Sequence, residues 1–168
     1  VSSPGESRIA VRYGEQKALM RVRQVLRADA KVAVESLRGL GLEMMILSGD
    51  RESAVAPIAG ELGIAHWRSQ VSPADKVNEL EALKAQGKKV LMVGDGLNDS
   101  PALAAASVSL APIGAADLSK AHADAVFLGE RLRPVFVAIT LSRRARYLMR
   151  QNLWFSVIYN AFAVPIAI

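Results

Sequence analysis

The sequence predicts an α/β fold, a parallel sheet flanked by helices and continued by one long carboxyl-terminal helix. Three observations carry this. Short apolar runs of about four to six residues alternate with helical patterns of roughly ten to fifteen. Glycines, or a Ser-Pro pair, punctuate the ends of those helical patterns. From about Leu132 one unbroken helical pattern runs through Arg143, Arg144, Arg146 and Arg150 into the apolar stretch from Leu153 to Ile168.

In chain order, Arg8 to about Leu26 reads as a hairpin of two extended runs around Gly14. Lys31 to Leu40 is helical by period and ends at Gly41, and Leu42 to Leu47 is a short apolar strand. Glu52 to Leu62 is a helix closed by Gly63, followed by a brief strand from Ile64 to Trp67. Ser72-Pro73 opens a helix that runs to Gln86 and closes at Gly87. Lys89 to Val93 is the clearest strand. Asn98 to Ala106 reads as a short alanine-rich helix, with strands at Ser107 to Leu110 and Ala125 to Leu128. In such folds ligands bind beyond the carboxyl ends of the strands.

Bulk properties narrow the function classes. Over 168 residues, 51% are hydrophobic and 22% charged, which excludes both a disordered tail and a wholly membrane-embedded protein. The absence of cysteine excludes disulfides and thiolate metal sites within this chain, and fits a reducing compartment. The net charge of +5 raises the question of nucleic acid. Its excess, however, gathers in the four arginines before the apolar terminus, without interleaved aromatics, so no nucleic-acid partner is expected. Arginines in that position read as cytoplasmic membrane anchors. The apolar run falls short of the about 20 residues a span needs, as a transmembrane helix cut part-way would; a buried terminal helix is the alternative. The opening VSSPGESRIA has no signal-peptide pattern.

Two strand ends carry the candidate chemistry. LEMMIL runs into Ser48-Gly49-Asp50, and KVLMV runs into Gly94-Asp95-Gly96-Leu97-Asn98-Asp99. Glycines on either side of Asp95 let the backbone turn sharply and approach a ligand. Asp99, one helical turn on, brings a second carboxylate toward the same point, with Asn98 as a neutral oxygen donor. Few hard oxygens with room for water and phosphate suit Mg2+, and a helix start adds N–H donors for an anion. Taken singly, Asn98 or Asp99 reads equally as a helix cap, Ser48 as an ordinary turn residue and Lys76 as a surface lysine. Their order is what raises them: a hydroxyl at one strand end, a lysine on a helix, an acidic pair at the next strand end.

That order resembles the haloacid-dehalogenase-like superfamily, with its Rossmann-type sheet, and within it the P-type ATPases. SGDRESAVAPIAGELGI, VSPADKV and MVGDGLNDSPALAAASVSL are similar to successive motifs in the phosphorylation domain of the heavy-metal-transporting branch. LRADA resembles the hinge from the nucleotide domain, and QNLWFSVIYNAFAVPIA the membrane helix that follows. LAPIGAADLSKAHADAVFL is nearest to copper pumps associated with cytochrome oxidase assembly.

The resemblance implies residue roles. Asp95 becomes the Mg2+ ligand, with Asn98 and Asp99 ordering the site around the phosphoryl group. Ser48 contacts the transferred phosphate, Gly49 and Asp50 lie nearby with Asp50 toward nucleotide, and Lys76 stabilises phosphoryl charge. Arg27 becomes the hinge arginine that helps hold ATP. Tyr159 and Asn160 match a pair that helps form the intramembrane site for the transported heavy-metal cation, expected to be copper(I). Asn160 also stands out unaided, since a polar side chain in an apolar span is costly, although a helix–helix hydrogen bond explains it equally.

The implied organisation is 1–30 as the end of a nucleotide domain and hinge, 31–135 as phosphorylation domain, and 136–168 as membrane-proximal helix and partial transmembrane helix. The implied setting is the cell (inner) membrane, with lipid and the remaining domains of the same pump as partners and residues 1 to about 150 cytoplasmic. Departures accompany the match. The phosphorylated Asp-Lys-Thr-Gly and the membrane Cys-Pro-Cys are absent, Gln24 stands where the hinge usually has aspartate, and Pro112-Ile113-Gly114 alters a glycine-rich segment. A piece of a longer pump, inactive alone, is the expectation. A haloacid-dehalogenase-type phosphatase would need an Asp-x-Asp that nothing before Gly41 supplies. The third reading is a membrane-tethered domain that binds Mg2+ or nucleotide without turnover.

Overall fold

A computed structural model describes residues 6–23, 25–95, 97–114 and 122–167. Gln24, Gly96 and 115–121, within the stretch compared with copper pumps, lie outside the described residues. The chain divides into two compact units, residues 1–132 and 133–168.

The first unit opens with the expected hairpin, β1 (Glu6–Tyr13) antiparallel to β2 (Gln16–Arg23). Its turn has Gly14 at φ 58° in the first of two central positions, the arrangement of a type II′ turn. Among the described residues, five further strands and four helices follow: α1 (Ala30–Gly39), β3 (Met45–Leu47), α2 (Glu52–Leu62), β4 (His66–Arg68), α3 (Pro73–Ala85), β5 (Leu91–Val93), α4 (Ser100–Ala105), β6 (Val108–Pro112) and β7 (Ala125–Phe127).

Helices α1, α2 and α3 end in the same way. Gly41, Gly63 and Gly87 have φ of 76°, 63° and 78°. The next amide reaches back to the carbonyl of Leu37, Ala59 or Leu83 respectively. This is the Schellman cap, which favours glycine at the left-handed position. It corrects one expectation: the Ile64 amide closes α2, so β4 begins at His66 and not at Ile64.

The strands are shorter than the apolar runs suggest, and they do not form one sheet. Among the described residues β3 pairs only with β4, in parallel; β5 pairs with β6 and β6 with β7, also in parallel. A ladder extends only as far as a neighbour runs alongside, so β3 and β5, with one described neighbour each, are three residues long. Each therefore keeps one edge without a described strand. Met45 and Val93, in those apolar runs, are 38% and 37% exposed. The core lies instead around Ala33, Val34, Val55, Ala59, Leu80, Ala102, Leu103 and Phe127, all buried.

The second unit is α5 (Arg133–Ala167), 35 residues and about 52 Å long at 1.5 Å per residue. The apolar terminal stretch is helical, as expected. Among the described residues no helix is long and apolar enough to cross a membrane.

Candidate functional site

At the end of β5 the amide of Gly94 donates to the Leu110 carbonyl at 3.2 Å, adding one rung to the β5–β6 ladder. A Cβ on Gly94 would meet Asp99 Cβ at 2.9 Å and Oδ2 at 3.0 Å. Gly94 does not take a positive φ. Its glycine therefore makes room for the Asp99 side chain, while Gly96, on the other side of Asp95, lies outside the described residues. A 3-10 turn, Leu97–Asp99, precedes α4 where one continuous helix from Asn98 was expected. The turn directs Asp99 back over Gly94 and leaves Asn98 exposed.

Asp99 is held by Lys76, whose Nζ donates to its Oδ1 at 2.6 Å. The two side chains are only 9% and 16% exposed. A lysine is buried this deeply only when paired. Its position follows from the start of α3. Ser72 accepts from the Asp75 amide at 3.1 Å while Asp75 reaches back to the Ser72 amide and hydroxyl, and Pro73 occupies the first turn. This capping box fixes where the first turn begins, and Lys76 follows it directly. The Ser72 hydroxyl, and then its amide, hold the Asp75 carboxyl below the usual aspartate range.

Ser48, at the end of β3, is braced from the same direction. Its amide donates to the Arg68 carbonyl at 3.0 Å, and its carbonyl accepts from Val71 at 2.9 Å. Gln70, in the left-handed region at φ 53°, donates its amide to the Asp50 carbonyl at 2.7 Å. The Ser48 hydroxyl accepts from the Asp50 amide and donates to its carboxylate, both at 3.1 Å. Gly49 and Asp50 are exposed at the tip. A continuous bonded path thus runs from Ser48 through Val71 and the Ser72 cap to Lys76 and Asp99. The path links the ends of strands that share no ladder.

Asp95 lies on the open side, its side chain 61% exposed, with Arg27 Nη2 at 3.4 Å from Oδ2. Arg27 Nη1 also donates to the Glu130 carbonyl at 2.5 Å, and Asp29 Oδ2 accepts from the Leu132 amide at 2.8 Å. The hinge expected to face nucleotide is therefore strapped to 130–132 and to Asp95. Pairing across 68 positions leaves no local signal in the sequence. A second feature without such a signal is the clasp of buried Ser109, whose amide and hydroxyl donate to Asp124 Oδ2 at 2.8 and 3.0 Å and which joins β6 to the approach of β7.

Among the described residues no group of three or more His, Cys, Asp or Glu side chains stands ready to hold a metal ion. Asp95 offers one open carboxylate, enough for a contribution to Mg2+, which keeps several waters and takes one or two carboxylates plus phosphate. In the second unit Tyr159 and Asn160 occupy adjacent exposed positions on α5.

Comparison with known proteins gives consistent matches. Residues 2–107 match the family described as haloacid dehalogenase-like hydrolase. The chain is 52% identical to nitrogen fixation protein FixI of Bradyrhizobium diazoefficiens over 98% of its own length and 23% of that protein's. It is 39% identical to the probable copper-transporting ATPase PacS of Synechocystis, covering 91% of the chain and 20% of that protein. The chain thus spans roughly a fifth of the length of these relatives. Among solved structures it resembles a zinc-transporting PIB-type ATPase at TM-score 0.81 and 32% identity, over 98% of the chain and 27% of that protein. It also resembles the catalytic domain of the CPx-ATPase CopB-B at TM-score 0.55 and 44% identity, over 64% and 42%.

Proposed function

We propose, from the premise that this chain belongs to the haloacid dehalogenase-like hydrolase family, that it supplies the phosphoryl- and magnesium-binding part of an ATP-driven heavy-metal pump. The observation that carries this is the buried Lys76–Asp99 pair beside the open carboxylate of Asp95. The reading draws support from a buried cation–carboxylate pair and a solvent-exposed carboxylate, paired to Arg27, lying beyond the carboxyl end of β5, the end at which α/β folds bind ligands.

In this reading the nucleophile is an aspartate upstream of this chain, on a strand that enters between the open edges of β3 and β5. Ser48 donates its hydroxyl to an oxygen of the transferred phosphoryl group, exchanging its bond to Asp50. Lys76 neutralises charge on the same group, and Asp99 holds Lys76 in place. Asn98 and Asp99 order the site around the phosphoryl group, and Gly49 and Asp50 approach the nucleotide. Arg27 moves from Asp95 toward ATP when the hinge closes. Asp95 would hold Mg2+, which supplies charge neutralisation between phosphoryl oxygens. Catalysis then rests on positioning and charge.

The same reading places the terminal part of α5 in lipid, with residues 1 to about 150 on the cytoplasmic side. The organisation proposed is hinge to residue 30, phosphorylation domain 31–135 and membrane-proximal helix from 136. Tyr159 and Asn160 contribute to the path of the transported cation. Copper(I) is favoured, since PacS is described as copper-transporting.

The test compares this chain with the complete protein that contains it. The chain alone should release no phosphate from ATP, whereas the complete protein should form an acid-stable phosphoenzyme that Lys76→Ala lowers at least tenfold. Steady phosphate release by the chain alone, lost on Asp95→Ala, would instead establish a self-sufficient phosphatase. Copper(I)-stimulated turnover that Asn160→Ala abolishes supports the cargo assignment; stimulation by zinc alone overturns it.

A further inference from the structure

Helix α5 carries five arginines and, from Arg133 to its end, no acidic residue. Three of them, Arg143, Arg146 and Arg150, recur at intervals of three and four and so share one face. All three are exposed. Trp154 continues that face one turn later at 64% exposure, and exposed Leu153, Phe155 and Val157 follow. The helix itself therefore offers no carboxylate to balance this stripe, and the stripe ends where the apolar surface begins.

The axial spacing fits one environment. At 1.5 Å per residue, Arg150 stands about 4.5 Å before Leu153, and Arg146 about 10 Å before it. The headgroup layer on each side of a bilayer is about 5–8 Å thick. Arg150 then falls within that layer and Arg146 a few ångströms outside it, a distance that a long side chain extending toward phosphate can span. Trp154 takes the position that amphipathic aromatics favour, just inside the interface. A nucleic-acid partner would leave the aromatic and apolar continuation of the same face without a role.

We propose that Arg146 and Arg150, with Arg143 above them, form a docking face for the headgroups of anionic phospholipids. The proposal rests on the reading that the end of α5 enters lipid. It adds that the arginines select anionic lipid and do more than mark the cytoplasmic side. Guanidinium groups suit the task because they meet phosphate oxygens in a bidentate manner.

The experiment is vesicle flotation of the full 168-residue chain. One set of vesicles is phosphatidylcholine alone, and the other contains about a third phosphatidylglycerol. The expected result is binding to both, stronger by more than tenfold with phosphatidylglycerol, and reduced toward the neutral level by high salt. R146Q/R150Q should lower binding to the anionic vesicles by about thirtyfold, from the usual gain per basic residue near an anionic surface, and leave binding to neutral vesicles unchanged. R146K/R150K should retain most of it, and circular dichroism of each variant reports whether the fold is intact. Removing two charges from the hairpin instead, in R12Q/K17Q, should have little effect.

Equal binding to the two vesicle types would overturn the headgroup proposal while leaving lipid entry standing. Equal losses in R146Q/R150Q and R12Q/K17Q would also overturn it, by showing that total charge and not this face is read. Failure to float with either vesicle would overturn lipid entry itself.

Discussion

Replacing Lys76 by methionine removes one charge from a pair that water barely reaches, and little of the side-chain volume. The pair is 2.6 Å apart, with side chains 9% and 16% exposed. Breaking a fully buried pair from one side costs about 3–5 kcal/mol, whereas an exposed pair is worth about 0–1 kcal/mol. This pair lies near the buried end of that scale, and Asp99 cannot swing out easily because its carboxylate rests against Gly94. A loss of about 2–3 kcal/mol follows. For a chain of this size it lowers the apparent Tm by about 6–9 °C. Lys76→Met/Asp99→Asn should recover at least half of that loss, because most of the cost is the charge left behind. Thermal unfolding followed by circular dichroism measures all three proteins. A Lys76→Met protein within a degree of the parent, or a double variant no better than the single, would refute the reasoning.

Three further outcomes are expected. Gly94→Ala should cost about 1–3 kcal/mol, because its new carbon meets Asp99 Cβ at 2.9 Å; a Tm equal to the parent's would show that Asp99 moves away freely. Because Ser72 holds Asp75 below its ordinary range, that carboxylate stabilises the fold above the ordinary aspartate pKa. The contribution disappears as pH falls through the lowered folded value. The Tm gap between parent and Asp75→Asn should accordingly narrow as the pH falls from neutral through and below the ordinary aspartate range, and a gap that widens on acidification counts against the capping box. Arg27→Gln should raise amide hydrogen exchange across 128–132 by about fivefold, discounting a charged hydrogen bond for its exposure; unchanged exchange would mean that the strap carries no load.

Local chemistry made much of this legible in the sequence. Ser72-Pro73 and the glycines at 41, 63 and 87 mark helix ends because capping depends on a few adjacent residues. Ser48, Lys76 and Asp99 fall on one bonded path because each lies at or just beyond such a boundary. Features set by distant segments were not legible. Apolar pattern cannot tell a strand with two neighbours from one with a single neighbour, so the division into two parallel ladders is invisible in LEMMIL and KVLMV. Nor does any local pattern announce that Arg27 meets Asp95 and Glu130, or that Ser109 clasps Asp124.

The edges of β3 and β5 that have no described strand beside them have a consequence for how such a protein matures. Exposed strand edges recruit any compatible backbone, including that of another copy. Until the proposed intervening strand arrives, the seam is a hazard for self-association. Once filled, it would stitch the Ser48 and Asp95 ends into one ladder, so assembly of the sheet and arming of the site become a single event. A molecule whose upstream strand has not yet docked would be sticky, but it would not hydrolyse nucleotide wastefully.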